Sequence, residues 1–253
     1  MPFRQWSQSP GFVRRYSAAM LDLLLPQQCP LCRRFCFDNG LCAECWRELV
    51  FITPPLCGCC GRPLGYAIGD HLCGACLQAA PPLTEIRSCF VYNDQSRKLI
   101  LKFKHGDALH LTPLFSRFLK MHFTTLAQAN HLVVPIPLHA RRYWHRRYNQ
   151  AAEMARMLCW HHDQDAFCPD ILKRPKSGPS QAGLSRHQRQ RNLAGAFSVP
   201  AAKRDRLAGQ LVLLIDDVMT TGATLYEAAR TLRRAGAGQI RALVLARVLR
   251  DSL

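Results

Sequence analysis

The chain has 253 residues, of which 48% are hydrophobic and 20% are charged. This composition excludes wholesale disorder and a charged coiled coil, and no apolar run reaches the roughly 18 residues of a membrane span. The net charge is +17, and residues 81–253 carry 27 of the 34 Lys and Arg but only 12 of the 17 acids. Such an excess predicts a polyanionic partner, meaning nucleic acid, a phosphorylated small molecule or an acidic membrane surface, or else a basic face kept for solubility.

The first element predicted in chain order is an amphipathic helix within residues 1–28. Ser9-Pro10 is a typical helix start, and one apolar face follows before Pro26, formed by Phe12, Val13, Tyr16, Met20, Leu23 and Leu24. We expect this face to dock on the protein itself rather than on a membrane. Because the apolar stretch contains Asp22 and no small-residue cleavage site follows, a secretory signal is not predicted, and we expect a cytoplasmic protein.

Residues 29–80 are predicted to form a double four-cysteine zinc-finger module. Eight of their ten cysteines form four successive Cys-x-x-Cys pairs, whereas Cys36 and Cys59 are spare. Disulfides would fit a secreted protein and a single pair could be a redox motif, but four pairs in a cytoplasmic chain predict structural zinc. The simplest arrangement is sequential, with one zinc on Cys29, Cys32, Cys42 and Cys45 and the other on Cys57, Cys60, Cys73 and Cys76. A cross-braced arrangement is the alternative.

Residues 81–253 follow the boundary at Pro81-Pro82 and have the length of one α/β domain. Their strands are predicted at 88–92, 131–136, 211–215 and 240–246, and their helices at 95–103, 109–123, 150–160 and 225–235. The continuous apolar runs at the last two strands are typical of a parallel sheet that is covered on both faces. We therefore predict a parallel sheet flanked by helices, with the isolated cysteines packed in the core: Cys89, Cys159 and Cys168.

The most informative stretch is VLLIDDVMTTGATL, residues 212–225. A buried strand delivers Asp216 and Asp217 to its carboxyl end, which is where open α/β sheets bind ligands. The loop that follows, Thr220, Thr221, Gly222, Ala223 and Thr224, enters a helix and offers backbone N–H groups and hydroxyls to a phosphate. Two acids would repel that phosphate, so they must hold vicinal hydroxyls or a magnesium ion instead. The combination predicts a site for a ribose 5-phosphate.

This stretch resembles the PRPP-binding motif of the type I phosphoribosyltransferases. The resemblance implies that Asp216 and Asp217 hold the ribose hydroxyls of PRPP, that residues 220–224 hold its 5-phosphate, and that Mg²⁺ accompanies it. Residues 26–247 together resemble the ComF/GntX family. The resemblance is carried by this stretch, the four cysteine pairs, KFKHGD (102–107), VPIPLHARRYWHRRYNQA (134–151) and the segment 172–197. Members of that family are phosphoribosyltransferase-like proteins with an N-terminal zinc module, and some are linked to natural transformation.

Two basic segments are expected near the same site. Residues 136–147 carry four arginines, and the resemblance implies that Arg141 and Arg142 bind the pyrophosphate of PRPP; a solvated basic turn is the alternative. Residues 173–191 hold six cations and no acid, and their glycines predict a mobile loop that closes over the site, or else an exposed linker. Aromatic side chains are interleaved with the arginines, a pattern that also suits single-stranded DNA: Tyr143, Trp144 and Tyr148.

Two functions are therefore predicted, and they can coexist. The first is a phosphoribosyltransferase that acts on PRPP or another phosphorylated ribose, with an unknown acceptor and a link to DNA uptake or competence. The second is a non-catalytic protein that binds incoming single-stranded DNA in the cytoplasm, alone or with DNA-uptake proteins. No catalytic acid or base is assigned, and His105, beside Gly106-Asp107, is the histidine that we expect to contribute to the active site.

Overall fold

The structure is a computed structural model, and it describes residues 28–36, 40–65, 72–105, 108–127, 131–138, 148–160, 162–175 and 195–249. The predicted helix within residues 1–28 lies outside the described residues, as do Arg141 and Arg142 and residues 176–191 of the second basic segment. Within the described ranges, no helix combines the length and the apolar character that a membrane crossing requires.

The described residues form two compact units that divide between Glu48 and Leu49. The smaller unit contains the first four-cysteine cluster and one short helix, α1 (Ala43–Arg47). The N–H of Cys29 donates to Arg34 O at 2.7 Å, and the N–H of Arg33, which adopts a left-handed φ of 65°, donates to Cys29 O at 2.9 Å. These bonds close the tight turn that carries the first cysteine pair.

The larger unit is built on one parallel sheet with the strand order β1-β4-β3-β2. Its strands are β1 (Glu85–Val91), β2 (Leu132–Pro135), β3 (Val212–Met219) and β4 (Ile240–Arg247). The two central strands, β3 and β4, are buried over most of their length, as expected for a parallel sheet that is covered on both faces. The predicted α/β fold is confirmed.

Helices precede the first strand and lie between the successive strands. They are α2 (Gly74–Gln78), α3 (Asp94–His105), α4 (Thr112–Leu126), α5 (Gln150–Trp160), α6 (Arg204–Leu207) and α7 (Ala223–Arg234). The helix predicted from residue 109 begins instead with a 3-10 turn, Leu109–Leu111, and becomes α-helical at Thr112, where Pro113 occupies the first turn. The isolated cysteines are buried in the core, as predicted: Cys89, Cys159 and Cys168.

The second four-cysteine cluster belongs to the larger unit, because it is bonded to the sheet. The N–H of Ile86 in β1 donates to Cys59 O at 2.8 Å, and Arg247 at the end of β4 donates from Nη1 to Cys60 O at 2.5 Å. Gly61 lies so close to β1 that a Cβ there would stand 2.2 Å from Ile86 O. The compact units therefore divide within the cysteine-rich segment, and the boundary placed at Pro81-Pro82 from sequence differs from this division.

Candidate functional site

The paired acids lie in a cavity at the carboxyl edge of the sheet. Asp216 and Asp217 occupy the last half of β3, which extends to Met219 rather than ending at residue 215 as predicted. The cavity has a volume of about 320 Å³, and Thr220 and Thr224 of the following loop line it together with both acids. The structure thus brings the two predicted halves of the site, carboxylates and hydroxyl-bearing loop, to one concave surface.

The loop turns sharply at Gly222, which precedes α7. Gly222 has a φ of +79°, in the left-handed region, and the N–H of Ala223 donates to Thr221 Oγ1 at 3.4 Å. A Cβ at Gly222 would stand 2.6 Å from the ring of Tyr226 and 2.9 Å from the end of Met219. Both the backbone conformation and the packing therefore require glycine at this position.

We expect Gly222→Ala to weaken phosphate binding at this loop and to lower thermal stability. Gly209→Ala is the matched control, because Gly209 has a similar φ of +69° but nothing within 4 Å of a Cβ. Both variants carry the left-handed strain, about 1–2 kcal/mol, so the clashes with Tyr226 and Met219 distinguish Gly222→Ala from the control. Thermal melts and phosphate titrations of both variants measure the difference, and equal losses in both would contradict a packing role for Gly222.

The two carboxylates differ in their surroundings. Lys104 from the end of α3 places Nζ 2.8 Å from Asp217 Oδ2, and both side chains are mostly buried. Asp216 Oδ1 accepts the N–H of Asp217 at 2.9 Å. Burial, and after it the neighbouring charge of Asp217, raises the pKa of Asp216 to about 7, although the N–H of Asp217 and the charges of Lys104 and Arg174 act in the opposite direction. The site therefore holds one carboxylate that is paired with Lys104 beside one that titrates near neutrality.

Several cavity residues were not singled out from sequence. Tyr92, Lys104, Asn149 and Gln150 line the cavity with the acids. Lys104 lies in the KFKHGD motif, in which His105 was the residue predicted to contribute to the site. The side chain of His105 lies outside the described part of the chain. The signal for the others was weak, because single polar residues at strand and helix ends become neighbours only when the sheet forms.

The amide side chains of Asn149 and Gln150 fix the entrance of α5 against the cavity wall. Asn149 Nδ2 donates to Ile136 O at 3.0 Å while its Oδ1 accepts the N–H of Ala151 at 3.1 Å. The buried Gln150 donates from Nε2 to Phe103 O at 3.3 Å. Ile136 and Asn149, which precede and follow the arginine-rich residues 139–147 in the sequence, both line the cavity.

The predicted second basic segment begins at the same cavity. Arg174 lines the cavity, and its guanidinium carbon lies 5.4 Å from the ring centroid of Phe197, a cation–π distance. Lys173 is exposed, and its backbone pairs with Ser198 in both directions, at 2.9 and 3.0 Å. This pairing anchors the start of residues 173–191 next to the acids.

The eight paired cysteines gather into two clusters in sequential order. Within each cluster the four Sγ atoms lie within 4.8 Å of one another: Cys29, Cys32, Cys42 and Cys45 in one, and Cys57, Cys60, Cys73 and Cys76 in the other. The Sγ atoms of Cys32 and Cys42 are 3.5 Å apart, and those of Cys60 and Cys73 are 3.6 Å apart. Tetrahedral zinc with bonds of about 2.3 Å requires sulfur separations of about 3.8 Å, so both donor sets fit structural zinc.

Backbone N–H groups favour a thiolate at the second cluster. Cys57 Sγ accepts the N–H of Cys73 at 3.3 Å and that of Cys60 at 3.5 Å. Burial alone would raise the pKa of Cys57, but these N–H groups and that of Cys59 lower it to about 6. A thiolate is the form that binds zinc, so these N–H groups suit Cys57 to the role of a zinc ligand.

Comparisons with known proteins find relatives of both the cysteine-rich part and the α/β part of the chain. Residues 20–85 match the double zinc ribbon domain, and residues 151–252 match the phosphoribosyl transferase domain. Competence protein F of Haemophilus influenzae is 33% identical over 83% of this chain and 91% of that protein. The DNA utilization protein YhgH of Escherichia coli K12 is 32% identical over 90% of this chain and 100% of that protein, and competence protein ComFC of Bacillus subtilis is 30% identical over 79% and 80%.

Proposed function

The chain belongs to the ComF family, and from that premise we propose that its phosphoribosyltransferase domain binds PRPP with Mg²⁺ in the cavity beneath Asp216 and Asp217. The single observation that carries this proposal is the joint placement of both carboxylates with Thr220 and Thr224 around one cavity of about 320 Å³. The loop alone would accept any phosphate, and the acids alone would suit a sugar or a cation. Together they select a phosphorylated ribose.

Charges around the cavity match the charge distribution of PRPP. The N-terminus of α7 and the loop before it face the 5-phosphate with N–H groups and hydroxyls. The acids accept hydrogen bonds from the ribose hydroxyls. Lys104, which is paired with Asp217, then also contacts the ligand. Arg174 and the predicted Arg141 and Arg142 supply cations for the pyrophosphate. Bound Mg²⁺ would neutralise further charge on that leaving group.

The reaction that fits this arrangement transfers the phosphoribosyl group to a nucleophilic acceptor. A lone pair of the acceptor forms a bond to C1 of the ribose while the bond from C1 to pyrophosphate breaks, and its electron pair leaves with pyrophosphate. The proton of the attacking group passes to water. The protein's part is to hold the two groups in line and to stabilise the departing charge with its cations.

Calorimetric titration with PRPP, with and without Mg²⁺, tests the binding step, with inorganic phosphate as the reference ligand. We expect PRPP to bind more tightly than phosphate and Mg²⁺ to increase the difference. Equal affinities for PRPP and phosphate would refute the proposal. The domain would then share the fold of the phosphoribosyltransferases but not their binding of PRPP.

PRPP binding should depend on pH through Asp216. Because the pKa of this carboxyl is raised to about 7 and the ribose hydroxyls need the ionised form, affinity should rise from pH 6 to pH 8 by about tenfold. Binding at pH 6.5 should release a proton, which calorimetry in buffers of different ionisation enthalpy detects. PRPP also titrates in this range, so Asp216→Asn serves as the control, and an unchanged pH profile in that variant would assign the effect to the ligand.

We propose single-stranded DNA binding as a second function, in keeping with the competence and DNA-utilization names of the relatives. The supporting observation is the excess of 15 positive charges in residues 81–253. Exposed cations of α3, Arg97, Lys98 and Lys102, lie on the helix that also delivers Lys104 to the cavity. DNA taken up by the cell would meet this surface in the cytoplasm, where DNA-uptake proteins are the expected partners.

DNA binding should weaken linearly as log salt rises, by about 0.7 in log affinity for each phosphate contacted. Reversing Arg142 and Arg146 to Glu should reduce that slope by about 1.4, because two phosphate contacts are lost. Fluorescence anisotropy with a labelled oligonucleotide measures the slope. Arg117→Glu with Lys120→Glu on α4 removes the same charge elsewhere, and an equal change of slope in this control would contradict a localised DNA site.

A further inference from the structure

A second cavity lies between α4 and α5, apart from the site of the two acids. Its volume is about 200 Å³, and its apolar walls are formed by Pro113 of α4 and by Met157 and Leu158 of α5. His162, just after α5, also lines it, and the centroid of its ring lies 5.2 Å from that of the buried Phe123. No described residue lines both this cavity and the one that holds the acids, so the second cavity is available to a different ligand.

The hydroxyl of Ser116 gives this cavity an unused hydrogen-bonding group. Ser116 lies on α4, is only 7% exposed and lines the cavity. Its Oγ makes no hydrogen bond to any residue that the structure describes, although the carbonyl one turn earlier, that of Thr112, is a common acceptor for a helical serine. Because a buried hydroxyl without a partner is costly, this position favours an oxygen atom of a ligand.

The rim of the cavity is positively charged. Arg117 and Lys120 of α4 both line it, and both are exposed. Helix α4 contains no acid, and the one acid of α5, Glu153, binds Arg156 at 2.9 Å. In the described part of the chain no acid lines the cavity, so its rim attracts a negatively charged ligand.

The apolar surface continues beyond the cavity. Met121 is 55% exposed and follows Arg117 by four residues, and Trp160 is 61% exposed and follows Met157 by three. Residues at these spacings are neighbours on a helix surface, so both side chains adjoin the cavity. Large apolar side chains exposed beside a cavity mark an interaction surface, and Trp, Met and Arg are enriched in protein interfaces. The ligand therefore extends beyond the cavity, which favours a polypeptide over a small molecule.

We propose that this surface docks an acidic segment of a partner protein, with one aromatic or large aliphatic side chain as its anchor. The anchor enters between Pro113 and Leu158, and the Ser116 hydroxyl donates to a backbone carbonyl oxygen of the segment. Acids on either side of the anchor pair with Arg117 and Lys120 at the rim. The apolar walls favour an amino-acid side chain over the phosphate backbone of a nucleic acid. This docking does not depend on PRPP, because no described residue lines both cavities.

The test is a fluorescence-anisotropy titration of the full-length, zinc-loaded protein with a labelled peptide, Gly-Glu-Asp-Phe-Asp-Glu-Gly, whose C-terminus is amidated. One control peptide has Ala in place of Phe, and the other has Gln and Asn in place of the acids. We expect the parent peptide to bind and each control peptide to bind at least about tenfold more weakly, because the first loses the anchor and the second loses the charges.

Two charge-reversal variants locate the binding. Arg117→Glu with Lys120→Glu should weaken peptide binding by at least about tenfold, because the acids of the peptide then meet like charges. Arg204→Glu with Arg233→Glu is the matched control, since it reverses two exposed cations of the same unit that do not line the cavity, and it should change the affinity little.

Ser116→Ala tests the buried hydroxyl. This variant should weaken peptide binding by about three- to tenfold, which corresponds to the loss of one neutral hydrogen bond. Its melting temperature should not fall, because the hydroxyl makes no hydrogen bond within the described fold. A purely structural role of Ser116 predicts the opposite result, a lower melting temperature with unchanged affinity.

Equal binding of the peptide with Ala in place of Phe, or equal losses in the two charge-reversal variants, would overturn the docking site, because overall charge would then account for the attraction. A variant at Arg117 and Lys120 that loses DNA affinity and keeps peptide affinity would assign the surface to nucleic acid instead. A PRPP titration of the same samples reports on the proposed function separately: a protein that binds the peptide but no PRPP refutes that function alone.

Discussion

Replacing both acids, Asp216→Asn with Asp217→Asn, is expected to weaken PRPP binding by about 10²- to 10⁴-fold and to leave inorganic phosphate binding nearly unchanged. In the proposed complex each carboxylate accepts a hydrogen bond from a ribose hydroxyl, and a hydrogen bond to a charged group contributes about 1.5–3 kcal/mol. The amides keep the shape of the site but lose both charges. Phosphate should be unaffected because its proposed contacts are with the loop of residues 220–224 and not with the acids. Calorimetry with both ligands measures the ratio.

The double variant should remain folded, which makes its loss of affinity interpretable. The folded protein holds the Asp216 proton up to about pH 7, whereas the unfolded chain loses it near the ordinary carboxyl value. Rising pH between these values therefore favours unfolding, and Asp216→Asn removes that dependence, so its melting temperature at pH 8 should not fall. Replacing Asp217 leaves Lys104 without its partner and offsets part of this gain.

A matched control removes two negative charges elsewhere. Asp165→Asn with Asp205→Asn changes two exposed acids of the same unit that do not line the cavity. This variant should bind PRPP like the unmodified protein. If the control lost as much affinity as the double variant, the effect would be one of overall charge, and the assignment of the ribose hydroxyls to Asp216 and Asp217 would fail.

The sequence predicted the parallel sheet well, because each strand and helix carries its own periodic signal. The helix at Gln150–Trp160 was predicted with its observed bounds, and β4 within one residue. The prediction for β3 ended at the last apolar residue, but the structure continues the strand through the acids because Asp216 and Val218 still pair with Val244 and Ala246. Hydrophobicity marks where a strand is buried, and pairing with a neighbour decides where it ends.

Contacts that join distant segments could not be predicted in this way. The ion pair of Lys104 with Asp217 connects α3 to β3 across more than 100 residues, and no local pattern encodes it. The position of the second cysteine cluster is a similar case. Its cysteine spacing predicts a zinc site, but its assignment to the larger unit depends on Gly61 fitting against Ile86, which only the folded chain reveals.

Loss of the two zinc sites should have different consequences, because each belongs to a different compact unit. The first double variant is Cys57→Ser with Cys60→Ser, and the second is Cys29→Ser with Cys32→Ser. Each should reduce the zinc content from two to one per chain, as measured by elemental analysis. Structural zinc contributes about 10–16 kcal/mol in isolated zinc fingers, which is comparable to the whole stability of a domain. Removing a site should therefore unfold the segment that depends on it.

In the first of these variants, we expect the sheet itself to be destabilised. Cys59 and Cys60 accept hydrogen bonds from Ile86 of β1 and Arg247 of β4, so a disordered cluster leaves both donors without their acceptors. Thermal melting should shift to markedly lower temperature, and PRPP binding should be lost with it, since Arg247 pairs with Met219 directly before the phosphate loop. Circular dichroism and the PRPP titration follow both effects.

In the second variant, the cluster of Cys29, Cys32, Cys42 and Cys45 is lost from the smaller unit, whose described residues end at Glu48. The melting transition of the larger unit and its affinity for PRPP should then stay within error of the unmodified protein. This pair of variants is matched in chemistry and in the number of zinc ions removed, so only the position of the cluster differs. Equal losses of PRPP affinity in both would mean that the two units fold as one, and unchanged melting in the Cys57 and Cys60 variant would mean that the sheet does not depend on its zinc.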